Sequence, residues 1–379
     1  MAEIHAARRS RAQQKIAESG ADAALITSGP NVRYLTGLVS SNAAVLLPAH
    51  GGGVLATDSR YAEAAEHDCP DLEVATERQP EPALAILAAE RGYGTLAFEA
   101  QQMTVERYTA LAELESGPRL VPLGHVVEDL RMIKDEGEIE LLAKACAITA
   151  EAFAAVLDKI EPGRTERSFA VLLERAMIDL GAEGAAFDTI VASGPNGAIP
   201  HHSPGARVFA RGDLITIDCG ARFAGYNADM TRTVALGEPA AWQREIYELV
   251  AAAQRAGVGA AVPGADVASV DAAARDLIAE AGYAGHFGHG LGHGVGLEVH
   301  EAPMMGPGRT GTLTERVPVT IEPGVYLPGK GGVRIEDTLV VRAGTSGTAG
   351  TGQASTTRAG AAAGPAEVLT TTTKELLVL

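Results

Sequence analysis

Cysteine, aromatic residues and positive charge are all scarce in this chain of 379 residues. Its cysteines, Cys69, Cys146 and Cys219, form no CxxC pair, which excludes a disulfide framework and a thiolate zinc site. A reducing compartment fits that usage. Aromatic side chains make up 4% of the residues, so alanine, leucine and valine must fill most of any core. Acidic residues outnumber basic ones by 48 to 31, a net charge of -17, and no basic cluster offers a surface to a nucleic-acid backbone.

No apolar run reaches the roughly 18 residues that a membrane span needs. Residues 1–20 are charged and helix-like, without the apolar segment and small-residue cleavage site of a secretion signal. The expectation is a cytoplasmic protein that binds neither nucleic acid nor membrane. GxxxxGK[ST] is absent, which removes the usual phosphate-loop reading. HExxH is missing as well, because His300-Glu301 is followed by Ala-Pro-Met.

What is present describes a folded chain with 46% hydrophobic and 21% charged residues, long enough for two domains. Up to residue 125, apolar runs such as AALIT and AAVLL alternate with helical stretches, the pattern of a small α/β domain. Ser28-Gly29-Pro30-Asn31 reads as a turn, and His50-Gly51-Gly52-Gly53 as a hairpin loop. Over 126–160, Ile133, Ile139, Leu142, Ala143, Cys146, Ala150 and Phe153 recur at helical spacing and predict one long helix ended by Pro162-Gly163. A second helix is expected over 166–180, with Thr165 as a weak cap, and others over 241–256 and 267–281. Residues 343–366 collapse to Gly, Ala, Thr and Ser and read as an insertion in a second domain spanning 126–379. The final KELLVL is expected to return to the main body as a strand or helix turn.

Chemistry concentrates in the last third. In LITIDCGARFAGYNADMTRTVAL, residues 214–236, two β-prone runs flank a turn containing Gly225. With the turn centred between Phe223 and Ala224, Asp218 and Asp229 face each other across an antiparallel hairpin. VTIEPGVYLPGKGGVRIEDTLVV repeats the construction, and its PGKGG turn, centred near Gly329, sets Glu322 against Glu336, offset by at most a bulge. One such pair is commonly a solvated surface feature. Here Ile215, Ile217, Ile321, Ile335, Leu339 and Val340 mark core strands, on which facing acids require a compensating cation. Between the hairpins lies HFGHGLGHGVGLEVHEAP, with His286, His289, His293 and His300 among glycines that permit close approach of backbone to ligand. His201, in the turn-like AIPHHSPG, precedes the first hairpin.

These segments resemble the pita-bread metallopeptidases, in the branch that holds prolidase (Xaa-Pro dipeptidase) and aminopeptidase P. TIDCGARFAGYNADMTRT, GHGLGHGVGLEVHE, TIEPGVY and GGVRIEDT stand in the family's order, and the likeness covers nearly the whole chain. NVRYLTG, ATDSRY, FEAQQMTVERYTAL and VEDLRMIKDEGEIELL are similar to the creatinase-like N-terminal domain and its linker helix.

The resemblance implies an α+β fold: a smaller N-terminal creatinase-like α/β domain, 1–125, and a catalytic pita-bread domain, 126–379. It implies a pair of divalent metal ions on Asp218, Asp229, His293, Glu322 and Glu336, with Asp229 and Glu336 bridging. The hard, oxygen-rich set suits Mn2+ or Co2+, with Zn2+ as a further option. His201 and His300 are implied to contact the substrate and Glu322 to shuttle a proton, while His289, Tyr326 and Arg334 line the substrate pocket. Small peptides with proline after the scissile bond are the implied substrates, and a homodimer the implied assembly. Cys219 stands where the family commonly has a small apolar residue. A dipeptidase is favoured over an aminopeptidase P acting on longer peptides. Both a metal-free creatinase-like hydrolase and a noncatalytic pita-bread binding protein would be expected to lack ligands that this sequence retains.

Overall fold

A computed structural model describes residues 2–343 and 366–379. The expected insertion therefore lies outside the described residues, apart from its end residues Ala343 and Ala366. The chain divides into two compact units, Met1–Arg131 and Met132–Leu379.

The first unit is built on a mixed sheet of six strands, in the order Glu73–Thr76, Val54–Thr57, Ala43–Pro48, Ala23–Ile26, Thr95–Phe98 and Arg119–Pro122. The glycine run at 50–53 joins antiparallel strands in the register Ala43 to Thr57, as a hairpin loop should. Ser28–Asn31 does not form the expected turn. Ser28 is instead the N-cap of the helix Gly29–Thr36, and Pro30 lies in its first turn, where a missing N–H costs no hydrogen bond. Ala23, Leu25, Ala44, Leu46, Ala56, Leu84 and Leu96 supply an aliphatic core, the composition that scarce aromatics require.

The single helix expected over 126–160 is broken, because Val126–Met132 ends and Glu136–Val156, in the second unit, starts afresh. Asp135 and Glu138 each accept the other's backbone N–H at 2.9 Å, a capping box that fixes the new start. Lys134 turns inward between the helices and pairs with buried Glu301 at 2.5 Å. Thr165 caps the helix Glu166–Asp179 without help from an acid, accepting the Ser168 N–H at 3.1 Å. The remaining long helices are Ala241–Ala260 and Val267–Ile278.

Strand alternation decides which residues these helices cover. Ile215, Ile217 and Cys219 join Phe153, Phe169 and Leu173 in one apolar cluster, leaving Asp218 on the opposite face. Val319, Ile321, Val333 and Ile335 join Ile246, Val250 and Val270 in another, which turns Glu322, Arg334 and Glu336 the other way. Burying each large aliphatic side chain contributes about 1.5–3 kcal/mol, which holds the acidic face in place despite its charge.

After the undescribed segment, Ala366–Val368 pairs with Asp337–Val341, and Val378 forms a parallel bridge with Ala235, so KELLVL does return as extended chain. The fully buried Asp337 accepts from Arg232, Gln254 and Thr370 at 2.7–2.8 Å, and from Lys374. No helix among the described residues is long and apolar enough to cross a membrane.

Candidate metal centre

In the first hairpin Asp218 lies opposite Thr231 and Cys219 opposite Met230. The turn is thus one step later than expected, at Ala224-Gly225, whose φ values of 47° and 82° suit a two-residue hairpin loop. Asp229 consequently sits diagonal to Asp218 rather than across from it. Gly220 makes the crossing feasible, since a Cβ there would lie 1.8 Å from the Ala228 carbonyl oxygen.

The second hairpin keeps the expected register about Gly329. Gly324 pairs with Arg334 and Ile321 with Asp337, which sets Glu322 opposite Glu336. The hairpins are joined at the site, where the Glu336 N–H donates to Thr231 O at 3.1 Å and Thr231 Oγ1 donates to Glu336 Oε2 at 2.7 Å. Thr320 Oγ1 donates to Glu322 Oε1 at 3.4 Å.

His293 lies on the short strand Gly292–Gly294, where Cβ atoms at either glycine would fall 2.0–2.2 Å from neighbouring carbonyl oxygens. A carbonyl can only accept, so Nδ1 of His293 donates to Gly294 O at 3.0 Å, which in the neutral ring leaves the lone pair on Nε2. That Nε2 is 3.4 Å from Glu322 Oε1 and 3.7 Å from Asp229 Oδ2. The His300 ring stacks edge-on to His293 with centroids 4.3 Å apart. By the same logic Nδ1 of His289 donates to Gly290 O, and its Nε2 accepts from Tyr326 Oη at 2.8 Å. Arg334 completes a chain by donating to Tyr326 Oη at 2.9 Å and to Asp218 Oδ2 at 2.7 Å.

Asp218, Asp229, His293, Glu322 and Glu336 all line one cavity of about 590 Å³, together with His201, His289, His300 and Arg334. Tyr326 does not line it, although its hydroxyl is bound by both His289 and Arg334. Nothing in the sequence pattern singles out Thr231 and Thr320 as supports of the glutamates. Hydroxyls on alternating strand positions look like ordinary strand residues until the register is known.

Electrostatics make the acidic face costly without cations. Burial, followed by the charges of Glu336, Asp218 and Glu322, pushes Asp229 well above the usual carboxylate range. Burial and the charges of Glu322 and Asp218 do the same to Glu336. Burial also acts to raise Glu322, but its contacts with His293 outweigh that and hold it below its ordinary value. Asp218 Oδ1 and Glu336 Oε1 are buried without a hydrogen-bond donor. Asp229, His293 and Glu336 can each offer a ligand atom within 4.8 Å of the others. Orphaned anionic oxygens beside an imidazole lone pair fit divalent metal ions, which would relieve the repulsion.

An acidic face of this kind, on strands backed by helices on their other side, defines a metal-dependent hydrolase with a pita-bread fold. The chain belongs to metallopeptidase family M24, matched over residues 140–343, and residues 8–133 match the creatinase/prolidase N-terminal domain. It is 40% identical to an Xaa-Pro dipeptidase of Pyrococcus horikoshii over 84% of this chain and 90% of that one. Its fold is similar to that of an Xaa-Pro dipeptidase from Bacillus anthracis, with a TM-score of 0.90 and 35% identity over 99% of this chain and 100% of the other. An X-Pro aminopeptidase from Thermotoga maritima is similar at a TM-score of 0.83, with 35% identity over 95% of this chain and 98% of the other.

Proposed function

We propose that this chain is a dinuclear peptidase of the prolidase type, hydrolysing the bond before proline in Xaa-Pro dipeptides. The observation that carries the reading is the convergence of Asp218, Asp229, His293, Glu322 and Glu336 on one cavity, with two of their carboxylate oxygens left unpaired. We assign these five as ligands and the chemistry to residues 126–379, with 1–125 as the N-terminal domain. Mn2+ is the favoured ion for so oxygen-rich a set, ahead of Co2+ and Zn2+. A cytoplasmic homodimer is the expected state.

Bound divalent ions supply Lewis acidity and bring the pKa of water toward neutrality, so neither serine nor cysteine is needed as nucleophile. The chain's own residues do the rest. His300 donates to the charge that develops on the scissile carbonyl oxygen. Glu322 moves a proton toward the leaving proline nitrogen, a task suited to a carboxylate beside His293. His201 contacts the substrate from the cavity wall, while His289 and Arg334 line the pocket, and Arg334, steadied by Tyr326, keeps Asp218 oriented. An acylated proline nitrogen has no N–H, so a pocket that does not require that donor is chemically sensible.

A second reading, cleavage of longer Xaa-Pro-Yaa peptides, is favoured by the likeness to the Thermotoga maritima aminopeptidase. The deciding experiment loads the protein with Mn2+ and compares Xaa-Pro with Xaa-Pro-Yaa substrates. Preference for the dipeptide upholds the first reading, preference for the longer peptide the second, and no hydrolysis of either rejects both.

A further inference from the structure

His201 lines the cavity from a stretch of chain that belongs to neither hairpin. His201 is exposed and lies on the loop between Gly194–Ala198 and the strand Leu214–Cys219, so its own backbone has no sheet to fix it. Its neighbours in sequence are nevertheless both pinned. On one side Pro200 O accepts from Arg334 Nη1 at 3.2 Å. On the other, His202 Nε2 donates to Glu166 Oε2 at 2.8 Å.

Glu166 binds much more of this loop than His202. Its Oε1 accepts from Ser193 N at 2.9 Å, Ser193 Oγ at 2.7 Å and Asn196 Nδ2 at 2.9 Å. Its Oε2 accepts from Gly205 N at 3.2 Å as well as from His202. The side chain is fully buried, and all its partners come from the single stretch 193–205. One carboxylate therefore gathers the stretch 193–205 at both its ends and at Asn196 and His202 against the first turn of the helix Glu166–Asp179. Burial acts to raise the Glu166 pKa, but hydrogen bonds from His202, Ser193 and Asn196 prevail and lower it, so it is ionised at neutral pH. Charge-assisted bonds of this number form a stiff anchor rather than an incidental contact.

We propose that Glu166 is a positioning residue for the reaction, fixing His201 at the cavity wall by clamping the loop on the side opposite Arg334. The inference rests on the substrate contact assigned to His201 above. A loop held at one end only would let the imidazole wander by an ångström or more, a displacement able to cost about a hundredfold in rate.

The test compares Glu166→Gln, His201→Ala and the double variant, each with its metal content measured. Glu166→Gln keeps the shape but cannot accept at both oxygens. The expected result is a fall in kcat of about tenfold to a hundredfold with metal content unchanged. Added to His201→Ala, the same change should cost less than about twofold, since the residue it positions is gone. In the metal-free protein, the His201 ring proton resonance should broaden or split in Glu166→Gln. Multiplying losses in the double variant, or an unaltered His201 resonance, would overturn the proposal. If Glu166→Gln folds poorly, His202→Phe removes one donor only, and its smaller loss must likewise vanish beside His201→Ala. Full activity of His201→Ala would instead reject the substrate role of His201, and the clamp with it.

Discussion

The site has two parts built on opposite principles. The carboxylates and His293 sit on or directly beside strands, cross-linked by backbone and threonine hydrogen bonds and backed by apolar clusters. His201 and His300 sit on loops, held through their neighbours in sequence. Mutually repelling acids must be prevented from swinging apart, which only a packed sheet can do. Groups that meet a substrate need reach as well as rigidity, and a loop tied at two points supplies both.

The sharpest way to break this comparison is at a strand. Glu336→Ala should abolish metal binding together with activity, a fall of about a thousandfold or more, read by metal analysis and Xaa-Pro hydrolysis. If metal and activity both survive, the sheet does not carry the ligands. A smaller loss is expected on a loop, where His300→Ala should lower kcat on the order of a hundredfold and leave metal content intact. Loss of metal in that variant would erase the distinction between the two parts.

The threonines sharpen the contrast further. Thr231→Val removes the donor to Glu336 Oε2 while keeping the strand, so metal affinity should weaken about tenfold, measured by titration with a competing chelator. An unchanged affinity would mean that the sheet backbone alone orients Glu336.

The smallest effect concerns pH. Glu166 has a folded pKa below its ordinary value of 4.5, so its stabilisation is present above that value and is lost as pH falls through the folded pKa. Below about pH 4.5 the melting temperature of the wild type should therefore fall more steeply than that of Glu166→Gln. Parallel curves would show that the clamp contributes nothing through its charge.

What was legible in the sequence follows the same division. PGKGG fixes a turn so strongly that the Glu322 to Glu336 register could be read directly, whereas the FAG turn left a one-residue choice that only positive φ at Ala224 and Gly225 resolves. Histidine positions were visible among glycines, but not what holds them. Glu166 follows a helix cap and reads as an ordinary acid of the first turn, because its partners are 27 to 39 residues away. Lys134 was hidden for a similar reason: apolar periodicity ran through the break at Asp135 and concealed a side chain turned inward to Glu301.

The environment of Asp337 bears on how the centre is assembled during synthesis. Its partners Thr370 and Lys374 are 33 and 37 residues downstream, so a ribosome has already delivered Arg232 and every proposed ligand before it delivers the last groups that pair with the buried acid beside Glu336. A nascent chain halted in between holds the complete ligand set on a strand whose backing is unfinished. Ions added to such a stalled chain should be retained less firmly than by the finished protein.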